Sequence, residues 1–582
     1  MSIGPVSEVQ IWPVLENTDR DVIISFGTFN TKPAEIPCSQ RKKGRPTPGL
    51  SSRAGLKFER SLEQPRVPRA IGFVPRTLEI LDHLQVSTQL LTDGVHHRHM
   101  HTYQDGVRIK TGEPYSAPTS RYGSFLSYSC GDACVSFLQQ LSNIGVEVEF
   151  GLELVDIDAG PQGILAVLRD VKKGRDLLIN AKYLIGADGA RSFTRKKCGF
   201  VFEGTSEDIP SMSMDAFVET DFPDINSMNF VRNQSGTLFV CAKPNGAIRF
   251  SGERKSLEDP SGNGEFSADA TLENIKSIMH PYKITFKELE WFGVWNDAAH
   301  VHTPAGGLGM NSGIADAYNV GWKLYLDSQG LAKPCLLDTY DAERRGIAEQ
   351  AIRISGSLVR LYSATPIKHG SPGLNSTVAK ELASIIARNG LNFTGMLEYN
   401  PNPLNLRDSD RTLAFCSEFA ILAGTRAPDA VLRRLRKPAD DKTTWLLNEL
   451  PAPGVFTILV YVGMLLTETA QQLDAAQRHI ASAESFLHRF KVSRREGLFH
   501  FATVVHEEAI SVAKEALTKT KFLTRSVYID VKGQFKERFG VPAERASVFV
   551  IRPDGYVGAC LYLEDFSFVE EYFDGFLVEK RV

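Results

Sequence analysis

Cysteine is scarce in this chain, with eight among 582 residues and no C-x-x-C pair. That usage excludes a disulfide framework and a cysteine-built zinc site, and it fits a reducing compartment. Cys130 and Cys134 would share one face of a helix and are expected to be buried free thiols without chemistry. An excess of either charge is missing too: 66 basic and 69 acidic residues leave a net charge of -3. No long-range field draws in nucleic acid or an anionic membrane, so a small molecule is the expected partner. Long hydrophobic runs are absent. The longest, Val455 to Leu466, is roughly half of what a membrane helix needs, and its β-branched content predicts a buried strand. The first residues show neither the apolar core of a secretory signal nor a transit peptide. A cytoplasmic protein that crosses no membrane is expected.

What is present reads as a multidomain α/β chain. Its length calls for two to four hydrophobic cores, and 42% apolar with 23% charged residues is ordinary globular composition. Lys32 to Pro68 is rich in Lys, Arg, Pro, Ser and Gly and predicts a solvated arm. RTLEILDHLQV then predicts an amphipathic helix using Leu78, Leu81 and Leu84. Strands are expected at Val146–Phe150, Ile164–Leu168, Tyr183–Ile185, Thr237–Ala242 and Ala247–Ser251. His96, His97, His99 and His101 alternate as on a partly exposed edge strand, which splits them between faces and argues against a metal. Asp316 to Tyr362 reads as helical, with caps at Asp316 and Asp338. Pro, Gly and Asn mark a boundary after it, and the rest alternates strands and helices up to an edge-like pair around an Asp-Gly turn, SVFVIRPDGYVGACLYL.

Two segments carry chemistry. In NDAAHVHTPAGGLGMNSGIADAYNVGWKL a glycine-rich loop runs into a helix start, where backbone N–H groups and the helix dipole favour an anion. Any phosphate or carboxylate would satisfy that pattern. His300 and His302 lack a third ligand nearby, so no metal is expected. In YLIGADGARSFTRKKCG a strand ends at Asp188 and Gly189, which suits either backbone approach to a dinucleotide or an ordinary left-handed turn.

Together these segments resemble the two flavin motifs of the aromatic hydroxylases, GDAAH with PxGGxGMN and the central DG motif. RAIGFVPRTLEIL, LLDTYDAERRGIAEQ, AGTRAPD and FGVPAERASVFVIRPDGYVG are similar to further stretches of the phenol hydroxylase (phenol 2-monooxygenase) family. The resemblance implies an α/β protein: an FAD-binding Rossmann-like (aromatic hydroxylase) fold, a β-rich substrate domain and a C-terminal thioredoxin-like domain. The implied layout is an atypical segment at 1–68, interleaved FAD and substrate domains at 69–365, a linker at 366–411 and a dimerisation domain at 412–582. It implies FAD and NADPH as cofactors, an aromatic substrate and a homodimer. By the same resemblance Asp297 holds the ribityl chain, and Gly307, Leu308, Gly309, Met310 and Asn311 lie along the isoalloxazine. Pro304 stands beside the ring, Asp188 and Gly189 serve the pyrophosphate and NADPH, and Lys243 and Ser251 stand where the family has an Arg and a Tyr near substrate and flavin.

The chain also departs from the family. After the expected strand Asp21–Phe29, TKPAEI replaces the rest of a GxGxxG turn. Ile71 occupies the position of an Asp that helps ionise the phenol, and LEWFGVW abuts NDAAH where the family has a longer segment. The expected activity is hydroxylation of a phenolic or polyketide-derived aromatic with NADPH and oxygen, with Lys243 supplying positive charge. The competing expectation is a catalytically silent relative, or the product of an incorrectly joined gene, that only binds or dimerises.

Overall fold

The computed structural model describes residues 22–24 and 57–580, apart from 65–67, 114, 116, 118, 161–162, 190–191, 202–209, 254–267, 297–307, 363–397, 406–420, 436–441, 452–453, 464–466, 491–496, 510–522, 524–525 and 543. The expectations for Asp297, Pro304 and Gly307 lie outside the described residues.

The first sheet has the strand order Ile185–Ala187, Val22–Ile24, Lys57–Glu59, Val148–Phe150. Lys57–Glu59 is parallel to Val148–Phe150, whereas Val22–Ile24 is antiparallel to both of its neighbours. A dinucleotide fold runs these neighbours parallel, so this strand is reversed in its slot. The expected strand Asp21–Phe29 is described only as Val22–Ile24, and that expected at 183–185 is displaced to Ile185–Ala187.

A seven-stranded sheet follows, ordered Ile284–Asn296, Pro210–Thr220, Ile248–Glu253, Gly236–Ala242, Met228–Asn233, Met100–Gln104, Val107–Gly112. Because side chains alternate along a strand, one face buries Met214, Leu238, Val240 and Phe250 against Ile275, Ile278 and Met279 of the helix Ala268–Met279. The opposite face is set by cross-strand pairs: Met228 with Cys241, Cys241 with Arg249, Phe239 with Ser251, Ser213 with Ser251 and Asp215 with Arg249. Against it packs a small sheet of Gly72–Phe73, Phe125–Ser127 and Val95–His97. The run of histidines is therefore divided between two sheets: His97 and His101 are buried, His96 and His99 exposed.

Leu78 and Leu81 are buried in the helix Pro75–His83, but the helix ends there and Leu84 leaves the apolar stripe. The helices Leu308–Ser328 and Cys335–Tyr362 pair with each other. Asp316 is no cap: the first helix starts at Leu308, and Asp316 instead takes a hydrogen bond from Arg344 Nε at 2.5 Å. Asp338 sits inside the first turn of the second helix. Cys130 and Cys134 lie half-buried in the helix Cys130–Asn143, and neither is part of a disulfide.

The C-terminal third is a thioredoxin-like domain. Its sheet is ordered Thr443–Trp445, Val431–Arg434, Val527–Asp530, Phe499–His506, Phe456–Tyr461, Ser547–Ile551, Val557–Tyr562. The strands beginning at 456, 499 and 527 are parallel, and the last two form an antiparallel hairpin. Every residue of Phe456–Tyr461 is buried, as a strand covered on both faces requires. The hairpin closes one edge of this sheet, as expected, with Val557–Tyr562 as the outermost strand, yet every residue of that strand is buried.

Near the start of this domain Asp429 is a buried carboxyl that accepts the Leu447 N–H at 2.9 Å, while its Oδ2 has no partner among the described residues. Burial pushes its pKa up to about 7. A raised folded-state value means that this group's stability contribution is complete below about pH 4 and is lost as pH rises through about 7. Asp429→Asn keeps the acceptor and cannot ionise. The stability it gains over the parent should be about 2–3 kcal/mol larger at pH 8 than at pH 5, measured by urea unfolding; equal gains at both would contradict this.

The turn Arg552–Gly555 fixes the domain onto the first half. Arg552 grips Glu343 at 2.6 and 3.0 Å, Lys323 reaches the same carboxylate at 2.8 Å, and all three side chains are fully buried. Asp554 accepts from Trp322 Nε1 at 3.2 Å and Asn319 Nδ2 at 3.3 Å, and Tyr318 donates to the Pro553 carbonyl at 3.0 Å. These contacts run along the helix whose N-terminus carries the GLGMN segment.

Candidate active site

The start of the helix Leu308–Ser328 is tied to the small sheet by a side chain. Asn311 Nδ2 donates to the Gly72 carbonyl at 2.9 Å, and its Oδ1 accepts the Val74 N–H at 3.2 Å. Met310 packs with Phe73, Leu78 and Leu126, and Gly309 is half-buried. Gly72 is required for this approach, because a Cβ there would lie 2.0 Å from the Phe125 ring. The first-turn N–H groups of the helix have no intrahelical acceptors and carry its positive dipole end.

Between the two sheets runs an apolar seam of Ile71, Val74, Tyr115, Phe125, Met228, Cys241 and Ala351, with Phe239 beside it. Ile71 is 6% exposed and packs in this seam. A polar band continues the same face of the large sheet. Ser251 Oγ lies 2.6 Å from Ser213 Oγ. Lys243 Nζ reaches Asp215 at 2.7 Å and Glu290 at 2.5 Å; Arg249 pairs with Asp215 and donates to the Arg69 carbonyl at 2.6 Å, steadying the chain just before Ile71. The Lys243 ammonium is thus balanced by carboxylates, a constraint the sequence did not disclose. Two polar side chains on the small sheet were not read as site residues in the sequence: His97, whose Nε2 is 3.3 Å from the Ala242 carbonyl, and Ser127, whose buried Oγ meets the Cys241 thiol and has no nitrogen or oxygen partner among the described residues.

At the first sheet, the register places Glu59 and Ala187 on either side of Val22, so Glu59 and Asp188 share the carboxyl edge of that sheet. Asp188 is buried and already committed: it accepts Ser192 Oγ at 2.5 Å and the Thr194 N–H at 2.8 Å, closing the turn into the helix Phe193–Lys197. Gly189 takes a φ of 70°, the left-handed conformation that glycine adopts freely. Glu59, buried at a strand end, holds the place from which dinucleotide folds grip a ribose. Its signal in the sequence was a carboxylate closing the strand that precedes RVPRAIGF.

The FAD binding domain family matches residues 56–296 and 292–355, and the phenol hydroxylase C-terminal dimerisation domain matches 397–581. The chain belongs to the phenol hydroxylase family of FAD-dependent monooxygenases. It is 26% identical over 595 residues to an FAD-dependent monooxygenase of Aspergillus terreus (strain NIH 2624 / FGSC A1156), covering 91% of this chain and 83% of that one. A phenol 2-monooxygenase of Aspergillus fumigatus is 25% identical over 437 residues, 68% of this chain and 70% of the relative. In fold it is similar to the flavin-dependent monooxygenase PieE, solved with FAD and substrate, at a TM-score of 0.64 and 18% identity over 89% of this chain and 93% of that one.

Against a flavin dinucleotide, the described residues of the monooxygenase fit at two points. The helix start at Leu308–Asn311 suits the anionic end of the ring system, and Glu59 suits a ribose. The reversed strand Val22–Ile24 directs its carboxyl end away from that edge, so no described turn receives the pyrophosphate as a GxGxxG loop would. Among the described residues no helix is long and apolar enough to cross a membrane.

Proposed function

We propose that the chain hydroxylates a phenolic or polyketide-derived aromatic in the seam between the two sheets, using FAD, NADPH and oxygen. The observation that carries this reading is the Asn311 link, which joins the flavin-motif helix to the strand bordering an aromatic-lined, water-excluding seam. FAD, when bound, carries electrons from NADPH to oxygen. Asp297, Gly307, Leu308, Gly309, Met310 and Asn311 would hold its ring, Pro304 would flank it, and Asp188, Gly189 and Ser251 would serve the cofactor side.

The chain's own contribution is placement. Phe125, Phe239 and Met228 offer apolar surface to a ring and exclude water, which strengthens every polar contact inside. Lys243 acts as a positioning residue, because its charge organises Asp215 and Arg249, which in turn hold the backbone at Arg69. A homodimer through the C-terminal domain, a cytoplasmic location, no nucleic-acid partner and domain limits at 69–365 and 412–582 complete the proposal.

The test is phenol-dependent NADPH oxidation by the FAD-loaded protein, with the product gaining one oxygen atom by mass. Oxidation without any hydroxylated product across simple phenols and polyketide aromatics would contradict the reading. Asn311→Ala removes both hydrogen bonds to the small sheet and is expected to weaken FAD binding about tenfold, equivalent to about 1.4 kcal/mol. Flavin fluorescence titration reads this directly; unchanged affinity would detach Asn311 from the cofactor.

A further inference from the structure

We propose that His97 accepts the substrate's phenolic proton and that the Ser127 hydroxyl binds the same oxygen. The assignment rests on the monooxygenase reading and deepens it. His97 stands directly across from Phe125, and Ser127 across from both Val95 and Gly72. Cross-strand partners share a face, so His97, Phe125 and Ser127 lie on one side of the small sheet, the side where Phe125 meets Cys241 of the large one. Contacts agree: His97 Nε2 is 3.5 Å from Cys241 Sγ, and its ring centroid is 6.3 Å from that of Phe125. The imidazole therefore borders the seam that contains Ile71, and Gly72, opposite Ser127, is the residue that Asn311 holds.

Two details make this a place for a phenol rather than closed packing. The buried Ser127 hydroxyl has no nitrogen or oxygen partner among the described residues and meets the Cys241 thiol, a weak hydrogen-bonding group that a ligand oxygen would better. The Ala242 carbonyl, which can only accept, lies 3.3 Å from His97 Nε2, and a proton on that nitrogen leaves the acceptor lone pair at Nδ1. Burial lowers the imidazole pKa and keeps it an acceptor at neutral pH. The ionisable groups around it do not compete: burial pushes the Cys241 thiol up to about 12, and His96 on the same strand is exposed. In the step, the phenolic O–H bond breaks and an N–H bond forms at Nδ1, giving phenolate and imidazolium. Electron density moves onto the ring carbons that oxygen attacks, and the proton returns to the product.

The experiment uses the FAD-loaded full chain and 4-nitrophenol, which is yellow only as its phenolate. At a pH above the probe's own pKa the free probe is already the phenolate, so the parent protein should bind the yellow anion and take up about one proton, held on the imidazole, as measured by calorimetry in two buffers of different ionisation enthalpy. His97→Gln should cut the bound phenolate fraction at least fivefold and lower kcat about 100-fold with little change in KM, while His96→Gln matches the parent. Should His97→Gln fail to fold, proton uptake by the parent decides alone. A colourless bound probe, or a yellow one without proton uptake, overturns the assignment. Turnover by His97→Gln at the parent rate overturns it too, yet leaves the monooxygenase reading standing; a parent protein that never oxidises NADPH overturns both.

Discussion

Arg552→Met should cost the protein about 3–5 kcal/mol, because it leaves Glu343 and Asp554 buried without their main cation. Burial opposes ionisation of Glu343, but the Arg552 and Lys323 charges overcome it and hold the carboxyl well below its usual range. A depressed carboxyl contributes stability above its unfolded pKa and loses it as pH falls through the folded value, so the parent should resist acid that unfolds the variant. The effect should spread beyond the C-terminal domain, since Asp554 also takes hydrogen bonds from Asn319 and Trp322 on the flavin-motif helix. Urea unfolding followed by tryptophan fluorescence measures the loss. A change below about 1 kcal/mol would mean that the network is no more than a solvated ion pair.

Gly72→Ala is the second large effect. The added methyl would sit 2.0 Å from the Phe125 ring, closer than any relaxed contact, and the neighbouring Gly72 carbonyl is pinned by Asn311. Phe125 must then turn into the seam or the strand must withdraw from the helix start. Overpacking of this kind costs about 1–3 kcal/mol, and either movement disturbs the substrate face. A fall of at least tenfold in phenol-stimulated NADPH oxidation is expected, with secondary structure retained by circular dichroism. Parent-like turnover would show that the seam is not where the substrate binds.

The sequence disclosed what local pattern encodes and concealed what pairing decides. The helix beginning at Leu308 was legible because glycines, helix start and amphipathic continuation are contiguous in the sequence, while the loop before it lies outside the described residues. So was the strand within Val455–Leu466, whose unbroken apolar run matches burial on both faces. Asp316 was misread as a cap because its partner Arg344 comes from the next helix, a contact that no local rule carries. The reversal of Val22–Ile24 was invisible for a related reason: alternation fixes which residues share a face, not the direction in which a neighbour runs. His97 was passed over because the histidine run read as one strand, whereas the chain breaks between His97 and Met100 and enters a second sheet. Lys243 was legible as a charge, and its two carboxylate partners were not.

The central claim is that a flavin ring sits at the start of the helix Leu308–Ser328, beside the seam, and flavin retention tests it most directly. Purified protein titrated with FAD should turn yellow, bind the flavin stoichiometrically and change its visible absorbance when a phenol is added. Protein that stays colourless and cannot be reconstituted with excess FAD would contradict the account.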